Sequence, residues 1–455
     1  MAIGKSSPVA VVGAGAWGLS TTLHLVQSGY TDVTTGYINC TSGRAPQRSV
    51  DTLAKNFASV SCLPTFANEI RILREKKGFN NVAWQLTGEL TGFNGYFNRL
   101  AGYAHSGNTL ARVQAFCALK GVRFLLGERV GKVEAFIYNV CGRCTGVRTA
   151  DGSTHDAVVT ICALGANAAT LVPSIGKFAI ARCWSVVHIQ LTEDEVNLLR
   201  GIPVVNVRDL GFFFEPDPHT RLLKLCPLGG GYTNTGVDGV SLPPGSVSEP
   251  GWGGFVPPDD ERKLRALLRE VLPWLADRPF VDNKFCWFSD TPDSEDCIDF
   301  VPGSSNSLVV LAGDSGHGFK MMPTVGKWVL ELLDAGRQAL PRWQWKSNQG
   351  KAAWEGGVSW RVGNSKEMRD LIGEPLPLEA RSNTLVPPHV PDVAGQPDWS
   401  TGARAMSTTT TPQAFTGSHS KVEGKKTVHF PAIALDRVPQ FPQRYSSISG
   451  DPRIA

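Results

Sequence analysis

Apolar residues along this chain fall into two patterns. Short unbroken runs at 8–12, 158–163 and 308–312 read as strands buried on both faces. Each run passes into a glycine-rich turn. The first turn leads to a helix-period stretch with Leu19, Leu23 and Leu25 that stops at Ser28-Gly29, a helix C-cap. The second is Leu164-Gly165-Ala166-Asn167-Ala168, and the third runs from Gly313 to Lys320 into a helix over 323–337. A second strand is expected at 32–37, and a helix through Leu110, Val113 and Ala118 leads to a strand at 122–126. Asp151-Gly152 marks a hairpin. Segments 182–191 and 210–226, the latter broken by Pro216-Asp217-Pro218, predict strands of a different sheet. Leu264, Leu267, Leu268, Val271, Leu272 and Leu275 share one helix face, with Asp259 and Asp260 in the first turn. Residues 40–94 show weak periodicity and no clear boundaries. Beyond 376 the chain turns polar and rich in Pro, Ser and Thr, so 377–455 reads as a disordered tail.

Composition narrows the class. With 455 residues, 42% hydrophobic and 19% charged, the chain reads as a globular enzyme of two domains or one interleaved fold. Its net charge of +4 is scattered, which argues against a nucleic-acid surface. No apolar run is long enough for a membrane span. A strand beginning near residue 8 leads us to expect no secretion signal, and the ten cysteines then read as free thiols in a reducing compartment. Cys141 and Cys144 form a lone C-x-x-C without a second pair, read as surface thiols in a turn rather than a zinc site.

The candidate chemistry begins at the first turn. Gly13, Gly15 and Gly18 stand in G-x-G-x-x-G spacing between a strand and a helix, the arrangement that holds a dinucleotide pyrophosphate on a helix N-terminus. Gly13, Ala14, Gly15, Ala16, Trp17, Gly18 and Leu19 are therefore candidate cofactor-binding residues. The acidic residue that such folds place after the second strand is missing near Tyr37.

Three stretches, VVGAGAWGLS, FCWFSDTPD (285–293) and GDSGHGFKMMPTVGKW (313–328), resemble the flavin-dependent amine oxidases of the sarcosine oxidase type. The likeness, over roughly 8–37 and 92–372, is to the fungal branch of fructosyl amine (Amadori) oxidases and saccharopine oxidases. The resemblance implies an α/β fold of the D-amino-acid/sarcosine oxidase type. A Rossmann-like FAD-binding domain (1–165 and 281–345) would interleave with a mostly antiparallel substrate domain (166–280), followed by a substrate-side segment at 346–376.

It also implies site roles. Cys286 matches the cysteine that tethers flavin by a thioether, and a buried structural cysteine is the alternative. Asp314, Gly316, His317, Gly318, Phe319 and Lys320 match the turn under the isoalloxazine, where the lysine pairs with the substrate carboxylate. Lys224 matches the lysine that helps dioxygen accept electrons, and an edge lysine facing water is the alternative. Arg361, in SWRVGNSKEM, matches an arginine set against the substrate carboxylate, and a surface arginine is equally compatible. The acid that Amadori oxidases carry four positions after the oxygen lysine is Leu228 here, which favours an amine other than a fructosyl one.

The expected reaction is oxidation of a carboxylate-bearing amine to an imine, with dioxygen reduced to hydrogen peroxide. A C–N desaturating biosynthetic oxidase and a flavin-binding protein without turnover are the alternatives. A cytoplasmic monomer is expected, since the C-terminal Pro-Arg-Ile-Ala is not a peroxisomal S-K-L address.

Overall fold

Five strands running in the same direction make the body of a six-stranded sheet. A computed structural model of the chain describes residues 3–36, 70–98, 102–244, 254–346 and 363–371. The chain divides into two compact units, Met1–Pro377 and Leu378–Ala455, and every described residue lies in the first. In the sheet, β1 (Val9–Val12) lies between β2 (Val33–Gly36) and β9 (Val159–Cys162). Next to β9 is β17 (Leu308–Ala312), next to β2 is β5 (Arg123–Leu125), and all these pairings are parallel. Antiparallel β16 (Cys297–Phe300) closes the edge beside β17. Strands β1, β9 and β17 are buried at every position, which is why each reads as an unbroken apolar run.

Helices cover this sheet: α1 (Ala16–Gln27), α2 (Ser106–Leu119) and α4 (Met322–Ala335) share one core with it. Helices α1 and α4 meet closely. The Gly326 N–H donates to Ser20 Oγ at 2.9 Å, and a Cβ on Gly326 would lie 2.2 Å from the Ser20 carbonyl oxygen.

The second sheet has the order β11 (Val205–Val207), β12 (Gly211–Phe213), β13 (Leu222–Pro227), β10 (Ile180–Gln190), β14 (Tyr232–Thr233) and β18 (Lys366–Glu367), with β15 (Val281–Asp290) also paired to β10. All its pairings are antiparallel except β14 with β18. On one face Val187, Ile189, Phe213, Leu223 and Leu225 pack against Leu264, Leu267, Leu268 and Val271 of α3 (Pro258–Val271). Asp260, in the first turn of α3, is buried and accepts a 2.6 Å hydrogen bond from Ser185 Oγ of β10. A hairpin of β3 (Ile70–Arg74) and β4 (Asn94–Asn98) and a small sheet of β6 (Val133–Tyr138), β7 (Cys144–Thr149) and β8 (Thr154–Asp156) complete the strands among the described residues.

Two expectations are corrected. Val281–Asp290 was expected in the second flavin segment, but β15 joins the second sheet along β10, and the chain returns to the six-stranded sheet only at Cys297. Cys144 is not a surface thiol: it begins β7, is fully buried, and its N–H donates to Ser307 Oγ at 2.7 Å, while Cys141 is exposed. Within the stretch that resisted reading, 70–98 forms the β3–β4 hairpin and a short helix. Residues 37–69, Arg361 and the 377–455 tail lie outside the described residues.

Candidate active site

Because β17, β9 and β1 are parallel neighbours, the turns that follow them leave from one edge of the sheet, the edge where open α/β sheets bind ligands. In the first turn the three glycines do different work. Gly13 has φ +119°, and a Cβ there would lie 2.3 Å from the carbonyl oxygen of Ala163, the residue between β9 and the second turn. A Cβ on Gly18 would lie 1.8 Å from the Gly13 carbonyl oxygen. Gly15 is exposed, and its Cβ would meet nothing within 4 Å. Gly15 is also the N-cap of α1, with no side-chain cap and no acidic residue in the first turn. The helix therefore turns its first N–H groups and positive end toward open space, flanked only by small Ala14 and Ala16. These residues fit a pyrophosphate.

The third turn is tied to the first. Trp17 Nε1 donates to the Gly318 carbonyl oxygen at 2.9 Å. Gly313 (φ +82°), Ser315 (φ +45°) and Gly316 (φ +78°) turn the chain sharply after β17. Asp314 braces that turn: Oδ1 accepts from the Ser289 N–H at 2.8 Å and Oδ2 from the Gly316 N–H at 3.3 Å. Ser289 answers with its hydroxyl, which accepts from Gly313 N–H at 3.1 Å, and its carbonyl, which accepts from Ser315 N–H at 2.7 Å. Ser289 lies on β15, three residues beyond Cys286. The strand that carries the candidate tethering thiol is thus fastened directly to the turn.

Cys286 and Lys224 lie on one face of the second sheet, opposite α3. Cross-strand pairs place His188 against Lys224 and Trp184 against Cys286, and Trp184, Val186 and His188 alternate onto that face of β10. Val186, Phe212, Phe214, Cys226 and Cys286 form one buried cluster there, with Leu228 and Val204 packed against it. Lys224 Nζ stands 5.8 Å from the centre of the Phe214 ring. Lys224 is half-buried, and Cys286 is buried. His317 and Phe319 are half-buried and Lys320 is exposed on the short turn Gly318–Met321 ahead of α4.

Several charged groups here were not singled out from sequence. Arg182 and Asp290 form a buried ion pair at 2.8 Å across β10 and β15. Asp296 is buried, and burial together with the nearby Asp314 and Glu295 carboxylates pushes it up to about 8. His188 Nδ1 lies 3.1 Å from the Asp282 carbonyl oxygen, and burial lowers it to about 4. The signal available for His188 was strand alternation, but β10 is buried on both faces, so its polar and apolar residues do not alternate.

Comparison with known proteins places this arrangement. Residues 35–332 match the family described as FAD dependent oxidoreductase. The L-saccharopine oxidase of Schizosaccharomyces pombe is 31% identical over 267 residues, covering 55% of this chain and 60% of that protein. The amino acid oxidase imqH of Aspergillus flavus is 31% identical over 279 residues, covering 52% of this chain and 57% of that protein. The chain thus spans about three fifths of the length of these relatives. Among solved structures, the deglycating fructosamine oxidase of Aspergillus fumigatus (Amadoriase II) aligns with TM-score 0.67 and 30% identity over 81% of this chain and 97% of that one. With a family match from 35 to 332 and a fold shared with that oxidase, the chain belongs to the FAD-dependent oxidoreductases.

Proposed function

We propose that the protein is an FAD-dependent oxidase of a carboxylate-bearing amine, with FAD attached through Cys286. The observation that carries this reading is the joining of three distant stretches: Trp17 holds Gly318, Asp314 holds Ser289, and β15 presents Cys286 on the same sheet face as Lys224. Bound FAD would supply the two-electron chemistry, accepting hydride from the carbon beside nitrogen and delivering the electron pair to dioxygen as hydrogen peroxide.

The chain's residues bind and polarise. The open N-terminus of α1 at Gly15 holds the pyrophosphate. The buried Cys286 sulfur supplies the thioether. The start of α4, behind the 313–320 turn, directs a positive helix end toward the ring. Lys224 is a fixed cation for the charge that develops on oxygen. Lys320 offers an ammonium to the substrate carboxylate. Leu228, packed with the aromatic cluster, supplies no acid for a sugar hydroxyl, so an amino-acid amine of the saccharopine kind suits the site better than a fructosyl one.

Purified protein tests this. Yellow colour should persist after acid precipitation, and tryptic mass spectrometry should find the flavin on the Cys286 peptide. Cys286→Ser should retain flavin that acid releases, and peroxide should form with a carboxylate-bearing amine from a panel. A colourless protein, or acid-stable flavin persisting in Cys286→Ser, defeats the assignment.

A further inference from the structure

We infer that His188 is a positioning residue for Lys224: it sets a neutral ring, with Nε2 as an acceptor rather than a second cation, across the strand pair from the ammonium on the cofactor-facing side of the second sheet. This rests on the proposed role of Lys224. His188 and Lys224 are directly opposed on antiparallel β10 and β13, a spacing at which side chains on one face touch. His188 is buried, so its ring has one environment rather than several. Its Nδ1 lies 3.1 Å from a backbone carbonyl, that of Asp282, and a carbonyl only accepts, so Nδ1 carries the proton. In the neutral ring Nε2 then bears the lone pair, and the group across the strand from it is a lysine.

The Asp282 carbonyl is aimed by a built feature. The pairing of β10 with β15 shifts register between Val186 and His188, and Asp282 at that bulge takes φ +49°, a left-handed conformation unusual for a residue with a side chain. Beyond the bulge the same strand carries Cys286, so Asp282, which fixes the His188 ring, and the residue proposed to hold the flavin hang from one strand. The charged groups facing His188 are Asp282, whose Oδ2 is 3.4 Å from Nδ1, and the Lys284 and Lys224 ammoniums. The two lysines and burial oppose a second proton on the ring, so it stays an acceptor at neutral pH.

The test compares Lys224→Met, His188→Leu, His188→Gln and the double variant His188→Leu/Lys224→Met, each loaded with flavin. Rapid mixing measures anaerobic reduction by the amine and reoxidation by dioxygen separately. His188→Leu should slow the oxygen step about tenfold and leave amine reduction within about twofold. His188→Gln, which keeps an acceptor near the Nε2 position, should recover most of the rate. The double variant should be no slower than Lys224→Met. Nitrogen-15 spectra of the wild-type holoprotein should show His188 neutral at pH 6 with the proton on Nδ1. An Nε2–H tautomer, an unchanged oxygen step in His188→Leu, or slowing that multiplies with Lys224→Met overturns the inference. If Lys224→Met itself leaves the oxygen step unchanged, the role of Lys224 fails instead, and the functional proposal fails with it.

Discussion

The two large sheets contribute to the candidate site by opposite means. The six-stranded sheet contributes backbone: its parallel strands bury both faces and end in turns whose glycines let backbone pack on backbone and, at Gly15, leave open space where a ligand would lie. The seven-stranded sheet contributes side chains: one face packs on α3, and the other presents Lys224, His188 and Cys286 at alternate positions. A backbone site constrains residue type and leaves a spaced motif. A side-chain site constrains only which face a residue points to, and strand order decides that.

The largest expected effect separates glycines within the first turn. Gly18→Ala would force a Cβ to 1.8 Å from a backbone oxygen, where nothing flexible can yield. It should cost more than ~3 kcal/mol, a large share of the ~5–15 kcal/mol that holds a domain together, and give little folded protein. Gly15→Ala meets nothing within 4 Å, so the flavin-free protein should melt as wild type while flavin incorporation falls about tenfold or more. Thermal melts of protein expressed without flavin, and flavin absorbance per protein after expression with it, measure the two. Equal losses of stability in both variants would mean that Gly15 is also structural.

The second sheet should behave the other way. Lys224→Met keeps an unbranched chain over Phe214, so folding and flavin content should be retained while reoxidation by dioxygen slows about a hundredfold or more. Stopped-flow reoxidation of the reduced protein checks this. A variant that instead loses flavin or melts early would show Lys224 serving the fold rather than the chemistry.

That contrast explains what the sequence revealed. Strands β1, β9 and β17, helices α1, α3 and α4, and the turns at 13–18 and 313–320 were legible because burial on both faces and tight turns each force a residue type. The placing of Lys224 and Cys286 on one sheet face was not, because β13 and β15 flank β10 in space though β15 comes far later in the chain. Val281–Asp290 was misassigned for the same reason: it runs directly toward the flavin-side segment, but its hydrogen bonds belong to β10. Cys144 was misread because a C-x-x-C suggests a turn, whereas the turn holds only Cys141 and the strand begins at Cys144. His188 was invisible within a strand buried from Ala181 to Ile189.

The smallest effect lies at the seam between the two sheets. Asp296 sits between the end of β15 and the start of β16, buried near Asp314 and Glu295, with Lys346 and Lys320 only partly offsetting them, and it is pushed up to about 8. Above the ordinary carboxylate range the unfolded chain has already released this proton, while the folded chain keeps it until about pH 8. Folding therefore takes up a proton across that window, so this group's contribution weakens steadily as pH rises and levels off above about 8. Asp296→Asn removes the titration and the repulsion of Asp314 but keeps the shape. Its melting temperature should match wild type near pH 5 and exceed it by a few degrees at pH 8, measured by calorimetry at matched ionic strength. A difference that is equal at both pH values would place the effect in packing rather than in charge.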